Sequence, residues 1–416
     1  MSLGVASLIA VLTCVVLGFV RRTNVGILAI GSAYVIGTAY GMSAREIAAG
    51  WPTQLFILLA GVTFLFGLLE ANGSLAKIAL RVVWLCRLAP AMLLPAFFCV
   101  SATLAGVGPG NIAVCAVMLP LASNVAKSQR RGYLALALMV ITGANIGGLS
   151  PLAPTGIVAM ELSRGIGVDG GLWLFRDMAI YGGAVAVISL GVLATMGPGS
   201  EGRAERTVPA TPRPLSLPQI VCLTVATLAV AAIMVFGLHV GMTALIAGSI
   251  IILLYPELES KAIGAMPWST LLLISGVAAL LNVATETGGV SIMSDVFSSL
   301  MSPAIAGSVM AAMAGFLSMV SSASGVVMPT LIPTVPFISE NLGEGVGERE
   351  LISSIVIGAH MVTISPVSTL GAMALLSAPA SLERMRLFGQ LLSVALLSLG
   401  VYAVVLTTAA LLGASG

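Results

Sequence analysis

The sequence predicts an all-α polytopic membrane protein: two inverted repeats of five transmembrane helices, each repeat with a re-entrant helical hairpin and a broken helix. Three observations carry this prediction. The chain is 58% hydrophobic and only 8% charged, with a mean hydropathy of +1.10, whereas a soluble domain has about 25% charged residues. Residues 1–196 and 216–416 align as two copies displaced by 215 positions. The basic residues then segregate to one side of the folded string.

The displacement rests on residues that set backbone breaks. Val25-Gly26 recurs as Val240-Gly241, Pro52 as Pro267, Gly61-Val62 as Gly276-Val277 and Gly73 as Gly288. Gly143-Ala144 recurs as Gly358-Ala359, Ser150-Pro151 as Ser365-Pro366 and Gly156 as Gly371. An apolar chain matches Leu to Leu by chance. It less easily matches its breaks in one register. Paired broken segments in two halves point to a transporter's binding site.

A span needs about 20 apolar residues. In the first repeat (1–196) the stretches 3–20, 24–42 and 53–71 qualify, the first being read as a retained span because no basic segment precedes it and Arg21-Arg22 follow. Residues 76–87 carry Lys77, Arg81 and Arg87 along an apolar run, the pattern of an interfacial helix. A hairpin over 89–126 turns at Gly106-Val107-Gly108-Pro109-Gly110-Asn111. A broken helix over 132–162 is interrupted at 147–154, and 177–196 closes the repeat. The polar segment 197–215 is a cytoplasmic linker.

The second repeat (216–416) follows the same plan, with spans 218–237, 240–256 and 268–286 and a short segment 290–301. Its hairpin, 303–339, is interrupted at Ser321-Ser322-Ala323-Ser324-Gly325. Its broken helix, 350–380, is interrupted at 363–369, and the last span is 388–412.

With each hairpin counted as non-crossing, five crossings per repeat put 14 of the 18 Lys and Arg residues on the side opposite the N-terminus. Only Arg45, Arg164, Arg176 and Arg349 fall on the other side. By the positive-inside rule the majority side is cytoplasmic. Both termini then face outward, and the odd number of crossings inverts one repeat relative to the other. Two full spans in place of each hairpin would leave the parity odd, so re-entrance rests on the turn sequences. Irregular polar backbone at membrane depth is tolerated where it is buried in protein or lines a cavity.

Composition also excludes functions. No basic cluster or aromatic platform supports nucleic-acid binding. The five cysteines are scattered, and only His239 and His360 are available, so neither a disulfide framework nor a zinc site is expected. There is no phosphate-binding Gly-rich loop and no Ser/His/Asp set; the chain is not expected to be an enzyme. Few acidic residues lie deep in a span: Glu70 and Glu286 sit near span ends and Asp177 starts one. His360, at the position equivalent to Asn145, is the one candidate proton relay, and a packing role suits it equally.

The two turns and two breaks expose free N–H and C=O groups. Helix N-termini attract carboxylates, and unwound carbonyls suit Na⁺. Hydroxyls and amides there add ligands: Asn111, Asn145, Ser150, Thr155, Ser321, Ser322, Ser324, Thr363, Ser365, Ser368 and Thr369. Gly110 and Gly325 allow close backbone approach. Any one Gly or Ser here could serve helix packing alone; four paired interruptions argue for binding. An anion bound without a deep Arg or Lys needs dipoles and a co-bound cation, which favours Na⁺ over H⁺ coupling.

Val25–Ala29, Leu58–Gly73, Gly106–Ala122 and Gly143–Ala159 resemble the MatC-like malonate/dicarboxylate carrier family, within the superfamily that contains the divalent anion/sodium symporters. The resemblance is strong over residues 1–165 and architectural through 416. It implies a secondary active, sodium-coupled carrier of small dicarboxylates in the cytoplasmic (inner) membrane of a bacterium. It also implies a homodimer in contact with lipid, with a scaffold and an elevator-like transport domain. The symporters' hairpin-tip signature maps to Gly110-Asn111-Ile112, counted back from Leu119-Pro120, and to Ala323-Ser324-Gly325, counted back from Ile332-Pro333. The 215 register would instead pair Gly110 with Gly325, two residues away. By the same resemblance one Na⁺ site uses Gly106, Gly110, Asn111 and the Gly148 region, with Asn145 beside it. A second uses Val320, Ala323, Ser324 and the Thr363–Ser365 region, with His360 beside it. Ser150-Pro151 and Ser365-Pro366 complete a substrate pocket that also draws on Asn111, Thr155, Ser324, Gly325, Ser368 and Thr369.

Overall fold

The computed structural model describes residues 3–21, 23–86, 92–129, 132–169, 172–195, 213–343 and 346–413. Regular structure there is helical throughout. Among the described residues, seven helices are long and apolar enough to cross a membrane, or eight if a bent pair counts as one span.

The first half runs α1 (Leu3–Arg21), α2 (Val25–Ala39), α3 (Ala44–Ala49), α4 (Thr53–Ala71) and α5 (Ser74–Cys86). The hairpin follows as α6 (Leu93–Val107) and α7 (Gly110–Gln129), then the broken helix as α8 (Tyr133–Gly148) and α9 (Pro154–Gly165), then α10 (Leu172–Thr195). The second half runs α11 (Leu217–Phe236), α12 (Val240–Leu254), α13 (Glu259–Ala265), α14 (Trp268–Glu286) and α15 (Gly289–Ser299). Its hairpin is α16 (Ala306–Val320), a π-helical turn over Ala323–Val327, α17 (Met328–Leu331), a 3₁₀ turn and α18 (Val335–Leu342). The broken helix is α19 (Glu348–Met361) and α20 (Thr369–Ser377), and α21 (Arg384–Gly413) ends the chain.

The ends of α2 and α12, and of α4 and α14, lie 215 residues apart, as do the starts of α8 and α19 and of α9 and α20. The hairpins follow another register. Val107 and Val320 end their first arms, and Gly110 and Ala323 begin their second arms, 213 residues apart. The shift is reversed after the hairpin, where five residues separate α18 from α19 but three separate α7 from α8. The two-residue ambiguity of the tips is thereby resolved: Asn111 pairs with Ser324, and Gly110 with Ala323.

Local chemistry explains many of the ends. Pro52 and Pro267 precede α4 and α14 with nearly the same backbone angles, φ −79° and −78°. Gly73 and Gly288 then release the chain at φ +74° and +79°, a left-handed conformation that costs glycine no Cβ clash. Reciprocal capping boxes, Ser43 with Glu46 and Ser216 with Gln219, start α3 and α11.

The expected spans 24–42 and 240–256 are corrected. Each holds a helix of 15 residues, about 22 Å at 1.5 Å per residue. The second then turns by 117° at Pro256. Proline disfavours the helical conformation for the residue before it, and Tyr255 leaves that conformation at φ −139° and ψ 71°. Two helical arms flank a tip within 93–129 and within 306–342, and a helix is broken within 133–165 and within 348–377; residues 89–91 of the expected first hairpin lie outside the described residues, α7 runs on to Gln129 and α9 to Gly165. The expected linker falls outside the described residues except for 213–215.

Glycine pairs bind the two halves. A methyl group on Gly276 would lie 2.0 Å from the Gly26 carbonyl oxygen, and one on Gly61 would lie 2.1 Å from that of Gly241. So α2 crosses α14 at a bare backbone contact, and α12 crosses α4 at the equivalent one. The broken helices also exchange: α20 packs on α7, and α9 packs on the second arm of the other hairpin. Each hairpin is pinned to its own broken helix in the same way. A methyl group on Gly143 would meet the Phe98 carbonyl oxygen at 2.3 Å, and one on Gly358 that of Ala311 at 2.4 Å.

Candidate functional site

Both hairpin tips and both helix breaks lie among buried residues of the exchanged bundle. At the first tip, Gly108 (φ +150°) and Gly110 (φ +77°) flank Pro109 and swing the chain from α6 into α7. Neither tolerates a Cβ: one on Gly108 would fall 1.7 Å from Phe66 Cε2, and one on Gly110 would fall 3.1 Å from Pro154 Cδ. Asn111 therefore starts α7 with its side chain turned into the bundle, 9% exposed.

Asn111 Nδ2 donates to Asn145 Oδ1 at 3.0 Å. Asn145 Nδ2 donates to Thr363 Oγ1 at 2.7 Å and to the His360 carbonyl oxygen at 3.3 Å. Thr363 Oγ1 in turn donates to the same carbonyl at 2.7 Å. One polar chain thus runs from the first tip through the first break to the second break. His360 is buried, and its Nδ1 bonds back to the Val356 carbonyl oxygen at 2.6 Å. Its ring is therefore tied to its own helix, while Asn145, its counterpart, reaches across.

The first break is held by Ser150, whose Oγ donates to the Gly106 carbonyl oxygen at the tip and accepts from Leu152 N at 3.2 Å. Ser365 repeats the local part, accepting from Val367 N at 3.3 Å. Gly156 and Gly371 let α9 and α20 start against these breaks: a methyl on either would lie 2.1 Å from the carbonyl oxygen of Ser150 or Ser365. Gly148 faces Asn111, with a built Cβ 3.3 Å from Asn111 Cβ. The free N–H groups of α9 and α20 emerge at these breaks, and those of α7 at the tip.

At the second tip the capping hydroxyl is Ser322, which accepts from Gly325 N at 3.0 Å. Ser321 Oγ bonds back to the Leu317 carbonyl oxygen at 2.7 Å. Ser324 is half-buried in the π-helical turn, a form common at functional sites. Gly325 lies under Leu273, a built Cβ being 2.2 Å from Leu273 Cδ2.

The expected residues are therefore gathered unevenly. Gly106, Gly110, Asn111, Asn145, Gly148, Ser150, His360 and Thr363 are joined by chain adjacency, contact or hydrogen bond. Thr155, Ser365, Pro366 and Ser368 are buried near the breaks, and Pro151 is half-buried. Ala323 is half-buried at the second tip, while Thr369 and the Val320 side chain are exposed. Phe66 and Leu273, which seat the two tips, were missed by sequence reading. An aromatic and a leucine in apolar helices carry no signal of that role.

Residues 1–148 match the family model described as dicarboxylate carrier protein MatC N-terminus. This bears out the resemblance read from the sequence over that part of the chain, and it indicates a transporter rather than an enzyme. No curated protein matches the chain. The structure is similar to that of Neisseria gonorrhoeae MtrF, described as illuminating a class of antimetabolite efflux pumps. The TM-score is 0.61 at 13% identity, with 90% of this chain and 84% of that chain covered. It is also similar to the Alcanivorax borkumensis YdaH transporter, described as having an unusual topology. Here the TM-score is 0.59 at 15% identity, with 90% and 87% covered. These likenesses establish the fold, an all-helical membrane-protein fold.

Proposed function

We propose that the chain is a secondary active carrier of small carboxylates, C3 or C4 dicarboxylates such as malonate or succinate, coupled to Na⁺. The observation that carries this reading is the convergence of a hairpin tip and two helix breaks on one buried amide chain, Asn111–Asn145–Thr363. Each helix N-terminus there offers about half a positive charge to a carboxylate. No Lys or Arg stands among the residues that line the tips and breaks. A dianion would leave about one negative charge uncompensated by two such ends, and a co-bound Na⁺ supplies the balance.

Alternating access by an elevator motion is supported by a break in symmetry. Contacts between α2 and α14 and between α4 and α12 exchange faithfully. The seats of the tips do not. The second tip packs on α14, with Gly325 under Leu273, whose equivalent is Leu58. The counterpart of Gly325 in the first tip, Ile112, is half exposed, and that tip meets α4 through Gly108 and Phe66 instead. Exchange of these two seatings is the other half of a transport cycle.

The charge-based topology is supported by cross-half hydrogen bonds, which join residues assigned to one side. Lys77 Nζ donates to Gln219 Oε1 at 2.8 Å, and Tyr133 OH to the Ala374 carbonyl oxygen at 2.6 Å, on the cytoplasmic side. Ser353 Oγ donates to Asp177 Oδ2 at 3.0 Å on the outer side.

Purified protein in liposomes should accumulate labelled malonate or succinate under an inward Na⁺ gradient. Uptake driven by a pH gradient and indifferent to Na⁺ would overturn the coupling and assign the relay to His360.

A further inference from the structure

The two halves share break-forming residues but differ, among other places, at the equivalent pair Asn145 and His360. This pair touches: Asn145 Nδ2 lies 3.3 Å from the His360 carbonyl oxygen. The orientation of the amide follows from chemistry. A carbonyl only accepts, so the nitrogen of Asn145 must face it. Its oxygen then faces Asn111, whose nitrogen must donate. Donation runs one way, from Asn111 to Asn145 to Thr363 and the His360 carbonyl. That carbonyl receives Asn145 Nδ2, Thr363 Oγ1 and the Val362 backbone N–H, so its accepting capacity is fully used. Asn145 is 2% exposed and Thr363 7% exposed, so water does not compete freely for these bonds.

We infer that Asn145 is a positioning residue that makes Asn111 in one half and Thr363 in the other act as a single unit. Its amide nitrogen occupies the place a cation would take at the His360 carbonyl and Thr363 hydroxyl. Cation binding is thereby left to the first tip, where Asn111 and the Asn145 oxygen lie, and one Na⁺ couples there. A cation drawn to the Asn145 oxygen polarises its N–H groups and tightens their hold on the second break. Binding at one tip is felt in the other half through one side chain. The inference rests on the transport reading of this site, and it replaces two ion sites by one.

The test measures the half-saturating Na⁺ concentration and the Na⁺ Hill coefficient for malonate uptake by the full-length protein in liposomes. Wild type should give a Hill coefficient near one. Thr363→Val, which leaves the first tip unaltered, should raise the half-saturating Na⁺ concentration about tenfold, as loss of a buried bonded partner does. Thr363→Ser should restore it, which a simple packing role would not predict. Asn111→Ala combined with Thr363→Val should cost about as much as either alone, since residues in one network are not additive. A Hill coefficient near two, a Thr363→Val value within twofold of wild type, or multiplying effects would each overturn the inference. If wild-type uptake ignores Na⁺, the coupling reading fails and the single-Na⁺ claim falls with it. The Asn145 linkage is then judged by the same variants' half-saturating malonate concentration for thermal stabilisation, with the same criteria.

Discussion

Gly26→Ala should separate the helices that join the two halves. A methyl group there would lie 2.1 Å from the Leu272 carbonyl oxygen and 2.4 Å from Leu273 Cα, against ordinary contacts of 3.4–4 Å. Both are backbone atoms, so no side chain can swing away. Helices α2 and α14 must part by about 1 Å along a close-packed seam, and overpacking of this kind costs about 1–3 kcal/mol. Alanine returns up to about 1 kcal/mol of helix propensity, which obscures the cost in a single measurement. Gly31 lies in the same helix and has nothing within 4 Å of a built Cβ. Gly31→Ala therefore collects the propensity gain without the clash, and the difference between the two variants isolates the seam. At about 1 °C per kcal/mol for a chain of 416 residues, thermal unfolding in detergent should place Gly26→Ala about 1–3 °C below Gly31→Ala. Gly241→Ala should resemble Gly26→Ala, because its Cβ would meet Leu58 Cα at 2.5 Å. A Gly26→Ala midpoint equal to or above that of Gly31→Ala would refute the seam.

Three further outcomes are expected. Gly110→Ala forces a left-handed residue at φ +77°, worth about 1–2 kcal/mol, and should reduce malonate uptake more than it lowers the melting point; equal losses would reduce the tip to a structural turn. Cysteines at positions 273 and 325 should cross-link in the conformation described, while cysteines at 58 and 112 should cross-link only during transport; failure of the second pair under active uptake would remove the elevator reading. The Ser43 backbone N–H, and then its hydroxyl, hold the Glu46 carboxyl below its ordinary value. That contribution is present above the unfolded value and lost as pH falls through the lowered one, so amide exchange over residues 44–49 should accelerate in that window, and Glu46→Gln should flatten the pH dependence.

The breaks were legible because Gly, Pro and Ser do there what other residues cannot. Ser150-Pro151 ends one helix, and its copy Ser365-Pro366 does the same; Pro154 starts the next, at the position that Thr369 fills in α20. The hairpin register was half legible: counting from Leu119-Pro120 and Ile332-Pro333 found it, while the Gly matches suggested another. Length was less legible for α2 and α12, since apolar residues continue past both helix ends. Partners were not legible at all. Gly26 and Gly276 were visible as members of different matched pairs, but periodicity says nothing about which helix fills a groove. The same holds for Asn145, whose reach to Thr363 depends on two breaks meeting in space.

The pairing of α2 with α14, and of α4 with α12, has a consequence for biogenesis. When the first half leaves the ribosome, its two glycine faces have no mates. The glycines they fit, Gly276 for Gly26 and Gly241 for Gly61, lie 250 and 180 residues downstream. Contacts this distant in sequence make assembly slow, and the early chain must wait in the bilayer with bare backbone stripes facing lipid. Neither half expressed alone would bury those stripes against its own helices. A gene split at the linker should therefore yield function only when both pieces are made together.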